Sequence, residues 1–285
     1  MKRNITLLDG AVGTNLWKIA EENGAEKVPV WQYNVTHPEF VRELCRRFIA
    51  AGSKQILANT FAANRQTITR YKGFDVSDVI TRAVRLAKEE TAGKNVTVSL
   101  SVGPLMQLLE PWGDMTAHEA RAIFAEMIAV GAAAGADSIT LGTFIDLDMI
   151  RIAAEEAVKS GLPIFAMMSF EKVGKTIMGN SVDDFIRAME EVGVSAIGMN
   201  CTLGPDLAEP VMRQFRGKTK LPLMFKPNAG KPIMAPDGTT ATTYSAEDFV
   251  RDVLPVLDYV DYVGGCCGAE PSYIRLLGEK IKENA

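Results

Sequence analysis

The sequence predicts an α/β fold, a (β/α)8 TIM barrel formed as a single domain over residues 1–285. Three observations lead to this prediction. Short apolar runs alternate with longer amphipathic segments along the whole chain, as in a parallel sheet covered by helices. Eight strand-then-helix units can be counted, which is the number in a TIM barrel. No Ser/Gly/Pro-rich linker or run of like charge divides the chain, so one domain fits better than two.

The predicted strands are short and mostly apolar, as expected for parallel strands that are buried on both faces. In chain order they are Ile5–Leu8, Gln55–Ala58, Val96–Ser101, Ser138–Leu141, Ile164–Ser169, Ala196–Met199, Leu223–Lys226 and Val260–Val263. A doubly wound open sheet would show the same alternation, but no Gly-x-Gly-x-x-Gly turn follows the first strand. The barrel is therefore the preferred architecture.

The predicted helices combine an apolar face with signals at their ends. Between Ser77 and Thr91 apolar residues recur at i, i+3 and i+4, and the Thr-Ala-His-Glu segment from Thr116 matches a capping box. Several segments end at a glycine, the usual helix stop. In chain order the helices are Pro38–Ala51, Ser77–Thr91, Thr116–Ala134, Leu147–Lys159, Ser181–Val192, Asp206–Phe215, Ala246–Leu257 and Ser272–Glu283.

Composition narrows the class of protein. The hydrophobic fraction of 47% and the charged fraction of 23% are those of an ordinary folded chain, and four cysteines are too few for a disulfide scaffold. With 31 Lys and Arg against 35 Asp and Glu, no basic excess predicts nucleic acid or an anionic membrane as a partner. No apolar stretch approaches the ~20 residues of a spanning helix, and the N-terminus lacks the apolar core of a signal peptide. We therefore expect a cytoplasmic protein.

Polar and conformationally special residues follow six of the predicted strands, at the end of the barrel where such folds place their chemistry. They are Asp9-Gly10-Ala11, Asn59-Thr60-Phe61, Gly103-Pro104, Asn200-Cys201, Asn228-Ala229-Gly230 and Gly264-Gly265-Cys266-Cys267-Gly268. The sequence therefore predicts a functional site on this rim.

Three of the four cysteines lie on the predicted rim. Cys201 follows strand six, and Cys266 and Cys267 follow strand eight, so only strand seven separates the two groups in a closed barrel. Three thiolates suit zinc and leave a fourth position open for water or substrate. Two other interpretations stay open on spacing alone. The cysteines could be small buried hydrophobes, or a redox pair, although a disulfide between neighbouring cysteines would be strained and Cys-x-x-Cys is the usual redox spacing.

The remaining cysteine and both histidines lie away from the rim. Cys45 falls inside a predicted helix and is interpreted as a packing residue. His37 precedes a proline at a helix start, and His118 lies in the first turn of another helix. This placement argues against a His-based zinc hydrolase and against a Cys–His nucleophilic pair.

Taken together, the motifs resemble those of the homocysteine S-methyltransferase family. Besides the two cysteine motifs, the resemblance rests on Leu8-Asp9-Gly10-Ala11-Val12-Gly13-Thr14, Asn59-Thr60-Phe61-Ala62-Ala63-Asn64, Ser101-Val102-Gly103-Pro104, Gly174-Lys175-Thr176 and Asn228-Ala229-Gly230-Lys231-Pro232. It covers nearly the whole chain, and its details are most similar to the homocysteine-binding module of cobalamin-dependent methionine synthase.

This resemblance implies a TIM-barrel methyltransferase of methionine biosynthesis, with zinc held by Cys201, Cys266 and Cys267 as metal ligands and catalytic residues. A substrate thiol bound to such a zinc loses its proton below the free pKa of ~8.5, and the thiolate then attacks a methyl group. The resemblance also implies contacts with a small-molecule thiol at Asp9, Gly10, Asn59, Thr60, Gly142, Asn200, Asn228 and Ala229.

One position departs from the family pattern. In the family, the loop after strand four carries a glutamate before a threonine, and this glutamate helps to bind the amino group of homocysteine. Here the matching residue is Gly142. Asp9, which faces the same amine in the family, is retained, and Asp146 and Glu171 are candidate replacements. Two possibilities stay open: the acceptor is homocysteine, or it is a related thiol without an amino group.

The methyl donor is also open. These 285 residues leave no room for an appended folate or cobalamin module. Family members use S-methylmethionine, S-adenosylmethionine, betaine or a methyl-corrinoid, and the resemblance to methionine synthase favours a methyl-corrinoid (cobalamin) supplied in trans by a separate corrinoid protein. Two other functions remain: a corrinoid-dependent methyltransferase or demethylase component acting on a non-homocysteine substrate, and a non-catalytic zinc- or thiol-binding barrel.

Overall fold

A computed structural model describes residues 4–201, 203–230, 232–234, 240–242 and 244–284. Lys231, in the last of the family motifs, lies outside the described residues. Within them, eight parallel strands form a barrel with helices around the outside, which confirms the predicted TIM barrel. None of the helices in this described part is long and apolar enough to cross a membrane.

The barrel strands are β1 (Thr6–Leu7), β2 (Gln55–Leu57), β3 (Thr97–Val102), β4 (Ser138–Phe144), β5 (Ile164–Met168), β6 (Ala196–Asn200), β7 (Leu223–Lys226) and β10 (Tyr262–Val263). An antiparallel hairpin of β8 (Pro232–Met234) and β9 (Thr240–Thr242) follows β7. The α-helices are α1 (Val12–Glu22), α2 (Tyr33–Thr36), α3 (Pro38–Ala50), α4 (Arg65–Ile68), α5 (Val76–Thr91), α6 (Ala117–Ala133), α7 (Leu147–Val158), α8 (Val182–Val192), α9 (Pro205–Lys218), α10 (Ala246–Val253) and α11 (Pro271–Asn284).

The strands follow one another around the ring in the order β1-β10-β7-β6-β5-β4-β3-β2. An isolated parallel bridge between Leu8 and Gln55 joins the two end strands, and the Lys54 amide donates to the Leu7 carbonyl at 2.7 Å. The sheet therefore has no free edge in this region. Because all eight strands run parallel, their carboxyl ends meet on one rim.

The predicted capping box at Thr116 and the predicted helix stop at Gly193 are both confirmed. Thr116 caps α6 in a reciprocal capping box with Glu119, and α8 ends at Gly193, whose φ is +84°. The helix α1 was not predicted. Its first residues include Gly13, and Ala11 at its N-cap makes no side-chain capping bond, so no start signal is present. The buried i, i+3, i+4 set of Leu16, Ile19 and Ala20 is the signal that was available.

The lower interior of the barrel is filled by a small apolar cluster. Its buried members are Leu8, Phe165, Met167, Ala196 and Met224, with Tyr262 packed against them. Further along the same strand faces the interior becomes polar, because Asn200 lies four residues after Ala196 on β6 and Lys226 lies two residues after Met224 on β7. Strand parity therefore directs Asn200 and Lys226 into the barrel just below the rim.

Strands β6 and β7 approach each other too closely for a side chain at Gly198. A Cβ added there would lie 1.9 Å from the Met224 carbonyl oxygen, a backbone atom that cannot rotate away. We expect Gly198→Ala to lower the free energy of unfolding by about 1–3 kcal/mol or more, because overpacking forces the strands apart. The matched control is Gly13→Ala in α1, where a Cβ meets nothing within 4 Å. Thermal denaturation should show a loss for Gly198→Ala alone, and equal melting temperatures would contradict the interpretation.

Candidate metal and thiol site

The Sγ atoms of Cys201, Cys266 and Cys267 all lie within 4.8 Å of one another on the carboxyl rim. The Sγ of Cys201 is 2.7 Å from that of Cys266 and 3.6 Å from that of Cys267. All three are free thiols; Cys267 is exposed and the other two are half-buried. The cluster predicted from strand order is therefore present, and one side of it faces solvent.

Backbone hydrogen bonds between neighbouring strand ends hold the cysteines in place. The Cys201 amide donates to the Lys226 carbonyl at 3.1 Å, and the Cys266 amide donates to the Pro227 carbonyl at 2.7 Å. Cys201 itself has a φ of +58°, a left-handed conformation that is rare for a residue with a side chain. Such conformations persist when the surroundings enforce them, and they concentrate at functional sites.

Asn200 links the cysteine cluster to the end of β4. Its Oδ1 accepts from the Thr143 amide at 2.8 Å, and its Nδ2 donates to the Thr143 hydroxyl at 2.7 Å. The same Nδ2 lies 3.8 Å from the Cys266 sulfur. Thr143 has a φ of +65° and lies in a break of the β4–β5 register between Leu141 and Phe144. The irregular end of β4 therefore serves to hold the Asn200 amide against a cluster sulfur.

Hydrogen bonds within the cluster shift the pKa values of the three thiols in different directions. Hydrogen bonds from Cys201 and Cys266 lower the pKa of Cys267 to about 3. For Cys266, the hydrogen bonds with Cys201 and Cys267 raise the pKa well above its ordinary value. For Cys201, the hydrogen bond with Cys266 lowers the pKa, but the hydrogen bond with Cys267 and burial outweigh it and raise it to about 12. A cation that bound all three as thiolates would displace the protons that remain on the cluster.

The donor set fits zinc. Zn–S bonds of ~2.3 Å at tetrahedral angles place sulfur atoms about 3.8 Å apart, close to the Cys201–Cys267 separation of 3.6 Å. The Cys201–Cys266 separation of 2.7 Å would have to widen by about 1 Å, which a side-chain rotation supplies. Thiolates prefer zinc over hard cations such as Mg²⁺. Three protein sulfurs also leave one tetrahedral position for another ligand.

Asp9 and Lys226 form a buried ion pair beside this cluster. The Lys226 ammonium donates to Asp9 Oδ1, and the two side chains are only 5% and 2% exposed. The second carboxylate oxygen of Asp9 accepts from the Leu57 amide at 2.7 Å. The Asp9 carbonyl in turn accepts from the Gly265 amide at 3.0 Å, which ties Asp9 to the cysteine loop. Both carboxylate oxygens of this predicted substrate contact are thus bonded within the protein.

Two other predicted substrate contacts hold the loop after β2. Asn59 is buried, and its Nδ2 donates to Val30 and Asn34 at 2.7 and 2.8 Å. Thr60 is fully buried, where its hydroxyl donates to the Ser101 carbonyl at 2.8 Å. Their side chains are therefore engaged in fixing this loop on the rim.

The predicted substrate contacts Gly10, Ala229 and Asn228 have different structural roles. A Cβ at Gly10 would lie 2.3 Å from the Ala269 carbonyl oxygen, so this glycine permits a close chain crossing. The Ala229 amide donates to the Cys267 carbonyl at 2.9 Å and supports the cysteine loop. Asn228 is buried, and its Oδ1 has no hydrogen-bond partner among the described residues, so it is an acceptor available to a ligand.

Gly142 lies on the same interior layer as Asn200. A Cβ there would lie 3.5 Å from Asn200 Nδ2 and 3.7 Å from Met167 Cε, which are ordinary contacts. The position therefore has room for a side chain that would point toward the site. Of the two candidate replacements for a carboxylate, Asp146 caps α7 through the Asp148 and Met149 amides, and Glu171 is exposed on the loop after β5.

Sequence reasoning missed two residues of this site. Lys226 was assigned to a strand, but its charge was given no role. Because alternate residues of a strand share a face, its position two residues after the inward Met224 could have indicated a buried charge. Thr143 was noted only beside Gly142, since its hydrogen bonds to Asn200 depend on tertiary contacts. Cys45 is buried as predicted, and burial raises its pKa to about 12, so its thiol stays protonated and unreactive.

Comparisons with known proteins show which family and which fold this chain resembles. The sequence profile of the family described as homocysteine S-methyltransferase matches residues 6–281. The methionine synthases of Mycobacterium leprae and Mycobacterium tuberculosis are 27% and 26% identical over 96% of this chain. The chain spans only 24% of the length of these curated relatives.

Solved structures show the same fold. The metallated form of the homocysteine methyltransferase MmuM from Escherichia coli superimposes with a TM-score of 0.80 at 22% identity, over 98% of this chain and 97% of that one. Its apo form gives a TM-score of 0.75. The family profile covers nearly all of the present sequence, from β1 into α11. This protein therefore belongs to the homocysteine S-methyltransferase family.

Proposed function

We propose that this protein is a zinc-dependent thiol S-methyltransferase that works as one barrel domain. The observation that carries the proposal is the meeting of Cys201, Cys266 and Cys267 on the rim, with their sulfurs within 4.8 Å, in a chain of this family. These three residues would hold the zinc. When bound there, zinc would supply the Lewis acidity that lowers the pKa of a substrate thiol and keeps its thiolate nucleophilic.

The chain's own residues prepare the site for this chemistry. Asn200 Nδ2, held by Thr143, directs an N–H toward the Cys266 sulfur and favours its ionised form. Burial of Asn200 and of the Asp9–Lys226 pair excludes water from the inner side of the cluster. The substrate thiol would release its proton to solvent on the exposed side of the cluster. Its sulfur would then form a bond to the methyl carbon, and the electron pair of the broken bond between that carbon and the donor would leave with the donor.

The methyl donor is proposed to be a methyl-corrinoid carried by a separate protein. Several large apolar side chains are exposed on loops that follow β2, β3 and β5, all on the cysteine rim: Phe61, Met106, Trp112, Val173 and Ile177. Trp112, Val173 and Ile177 are each 75% exposed. Exposed apolar groups around a site are typical of a surface that another protein covers. A small sulfonium or ammonium donor is the alternative.

A purely structural zinc site is less well supported. Structural zinc is normally closed by four protein ligands, whereas the described residues bring three together here. The remaining cysteine, Cys45, is buried in α3 on the outside of the barrel. A cluster with three sulfurs and one exposed member is suited to receive a substrate sulfur.

A methyl-transfer assay tests the proposal. The zinc-loaded protein is incubated with homocysteine or other alkyl thiols, each combined with a methylated corrinoid, a corrinoid protein, S-methylmethionine, S-adenosylmethionine or betaine. We expect S-methylated product from at least one combination and the fastest transfer from the corrinoid donors. Zinc removal by a chelator should stop the reaction, and zinc addition should restore it. Product formation that is unaffected by zinc removal would overturn the proposal.

A further inference from the structure

We infer that the acceptor thiol carries no ammonium group where homocysteine has one, an inference that rests on the proposed thiol methylation. A charged ammonium group that enters a buried site needs a carboxylate or several hydrogen-bond acceptors to replace its water shell. The described residues around the cysteine cluster do not offer a free carboxylate on its inner side.

The buried carboxylate nearest to the cysteine loop is already neutralised. Asp9 Oδ1 is bonded to the Lys226 ammonium and Oδ2 to the Leu57 amide, and the Asp9 residue is 1% exposed. An incoming ammonium would have to displace Lys226 from this carboxylate. Lys226 would then remain buried and charged without its partner, which is among the most unfavourable changes in a protein interior.

The ion pair of Lys226 and Asp9 offers an incoming ammonium group no net negative charge. Lys226 and Asn200 are paired in register on β7 and β6, so their side chains project into the same interior layer. Asn200 Nδ2 is 3.8 Å from the Cys266 sulfur. A thiol whose sulfur reaches the cluster would therefore place its next few atoms close to the Lys226 charge. An ammonium on those atoms would lose its water shell beside a pair of groups whose charges already cancel, whereas a methylene group would have no such cost.

The other acceptors do not compensate for this charge. Gly142 contributes no side chain, although there is room for one beside Asn200. Asp146 is used as the cap of α7, and Glu171 is exposed. Among the described residues, the Oδ1 atom of Asn228 is a buried acceptor without a partner, but it is neutral and so does not balance the charge of an ammonium group. The site is therefore matched to an alkyl thiol without an amino group.

The decisive comparison uses homocysteine and 4-mercaptobutyrate, which has the same carbon skeleton and carboxylate but lacks the amine. Binding of each thiol to the zinc-loaded protein is measured by calorimetry, and methyl transfer is measured with the best donor. We expect 4-mercaptobutyrate to bind at least about tenfold more tightly and to be methylated with a correspondingly higher kcat/KM. Equal or tighter binding of homocysteine would overturn this inference and leave the thiol methyltransferase function intact.

A substitution at Gly142 tests the physical cause. Gly142→Glu places a carboxylate beside Asn200, and Gly142→Gln adds a side chain of the same shape without the charge. Only Gly142→Glu should strengthen homocysteine binding, by about tenfold or more relative to Gly142→Gln. The same effect from both variants would show that charge is not the determinant and would contradict the inference. If neither thiol binds to any of the zinc-loaded proteins, the proposed function itself fails.

Discussion

Cys266→Ser is expected to abolish zinc binding and methyl transfer together. The Sγ atom of Cys266 lies 2.7 Å from that of Cys201 and 3.8 Å from Asn200 Nδ2, so two neighbouring side chains hold it in the cluster. A serine hydroxyl is a far poorer zinc ligand than a thiolate at neutral pH. Changes in groups that merely support a ligand typically cost 10–100-fold in metal affinity, so we expect at least about 100-fold for a ligand itself.

Cys45→Ala is the matched control for the loss of a cysteine. Cys45 is buried in α3, and its raised pKa of about 12 keeps it from serving as a thiolate. We expect this variant to retain about one zinc per chain and full activity, with a modest loss of stability from the small cavity. Cys201→Ser and Cys267→Ser should behave like Cys266→Ser. Undiminished zinc in all three serine variants would remove the basis of the proposed site.

Lys226→Met should cause the second large effect, a loss of stability. The substitution leaves the Asp9 carboxylate buried with only the Leu57 amide as partner. Removing one partner of a buried ion pair typically costs about 3–5 kcal/mol, because the other charge remains desolvated. At ~2–4 °C per kcal/mol for a chain of this size, the melting temperature should fall by about 6–20 °C.

Two controls test whether the loss of stability comes from an unpaired buried charge or simply from the loss of a lysine. One is an exposed ion pair, and the other is a double variant that removes both charges. Lys27 pairs with Glu21 at 3.1 Å, and both side chains are about half exposed. Lys27→Met should therefore change the free energy of unfolding by less than about 1 kcal/mol. Combining Lys226→Met with Asp9→Asn should restore part of the loss, because no unpaired charge remains. If Lys226→Met is as well tolerated as Lys27→Met, the pair does not have the energetic role assigned to it.

The barrel was predictable because its signals are local. Each strand is a short apolar run, and capping residues such as Thr116 and the stop at Gly193 mark helix ends within a few residues. The helix α1 lacked such signals, and the Leu8–Gln55 bridge that joins the end strands cannot be inferred from either segment alone. Strand count and order were therefore accessible, whereas exact strand ends were not.

The part of the site that depends only on strand order, the cysteine cluster, could be predicted from the sequence. Cys201 follows β6, and Cys266 and Cys267 follow β10, with only β7 between these strands in the ring, so the meeting of the three thiols follows from the fold. The pair of Asp9 and Lys226 joins residues 217 positions apart and depends on which face of β7 turns inward. The left-handed conformation of Cys201 and the bonds between Asn200 and Thr143 likewise arise from packing. The pair of Asp9 and Lys226 is the basis of the proposed thiol preference, and only the folded chain displays these contacts.

X-ray absorption at the zinc edge, with and without a bound thiol, tests the central claim most directly. The protein is loaded with one zinc per chain, and the sulfur atoms around the metal are counted before and after a saturating thiol is added. A catalytic site built from Cys201, Cys266 and Cys267 predicts three sulfurs at first and a fourth when the thiol is present. An unchanged sulfur count while the thiol is bound would show that the cluster does not activate it, and would contradict the account.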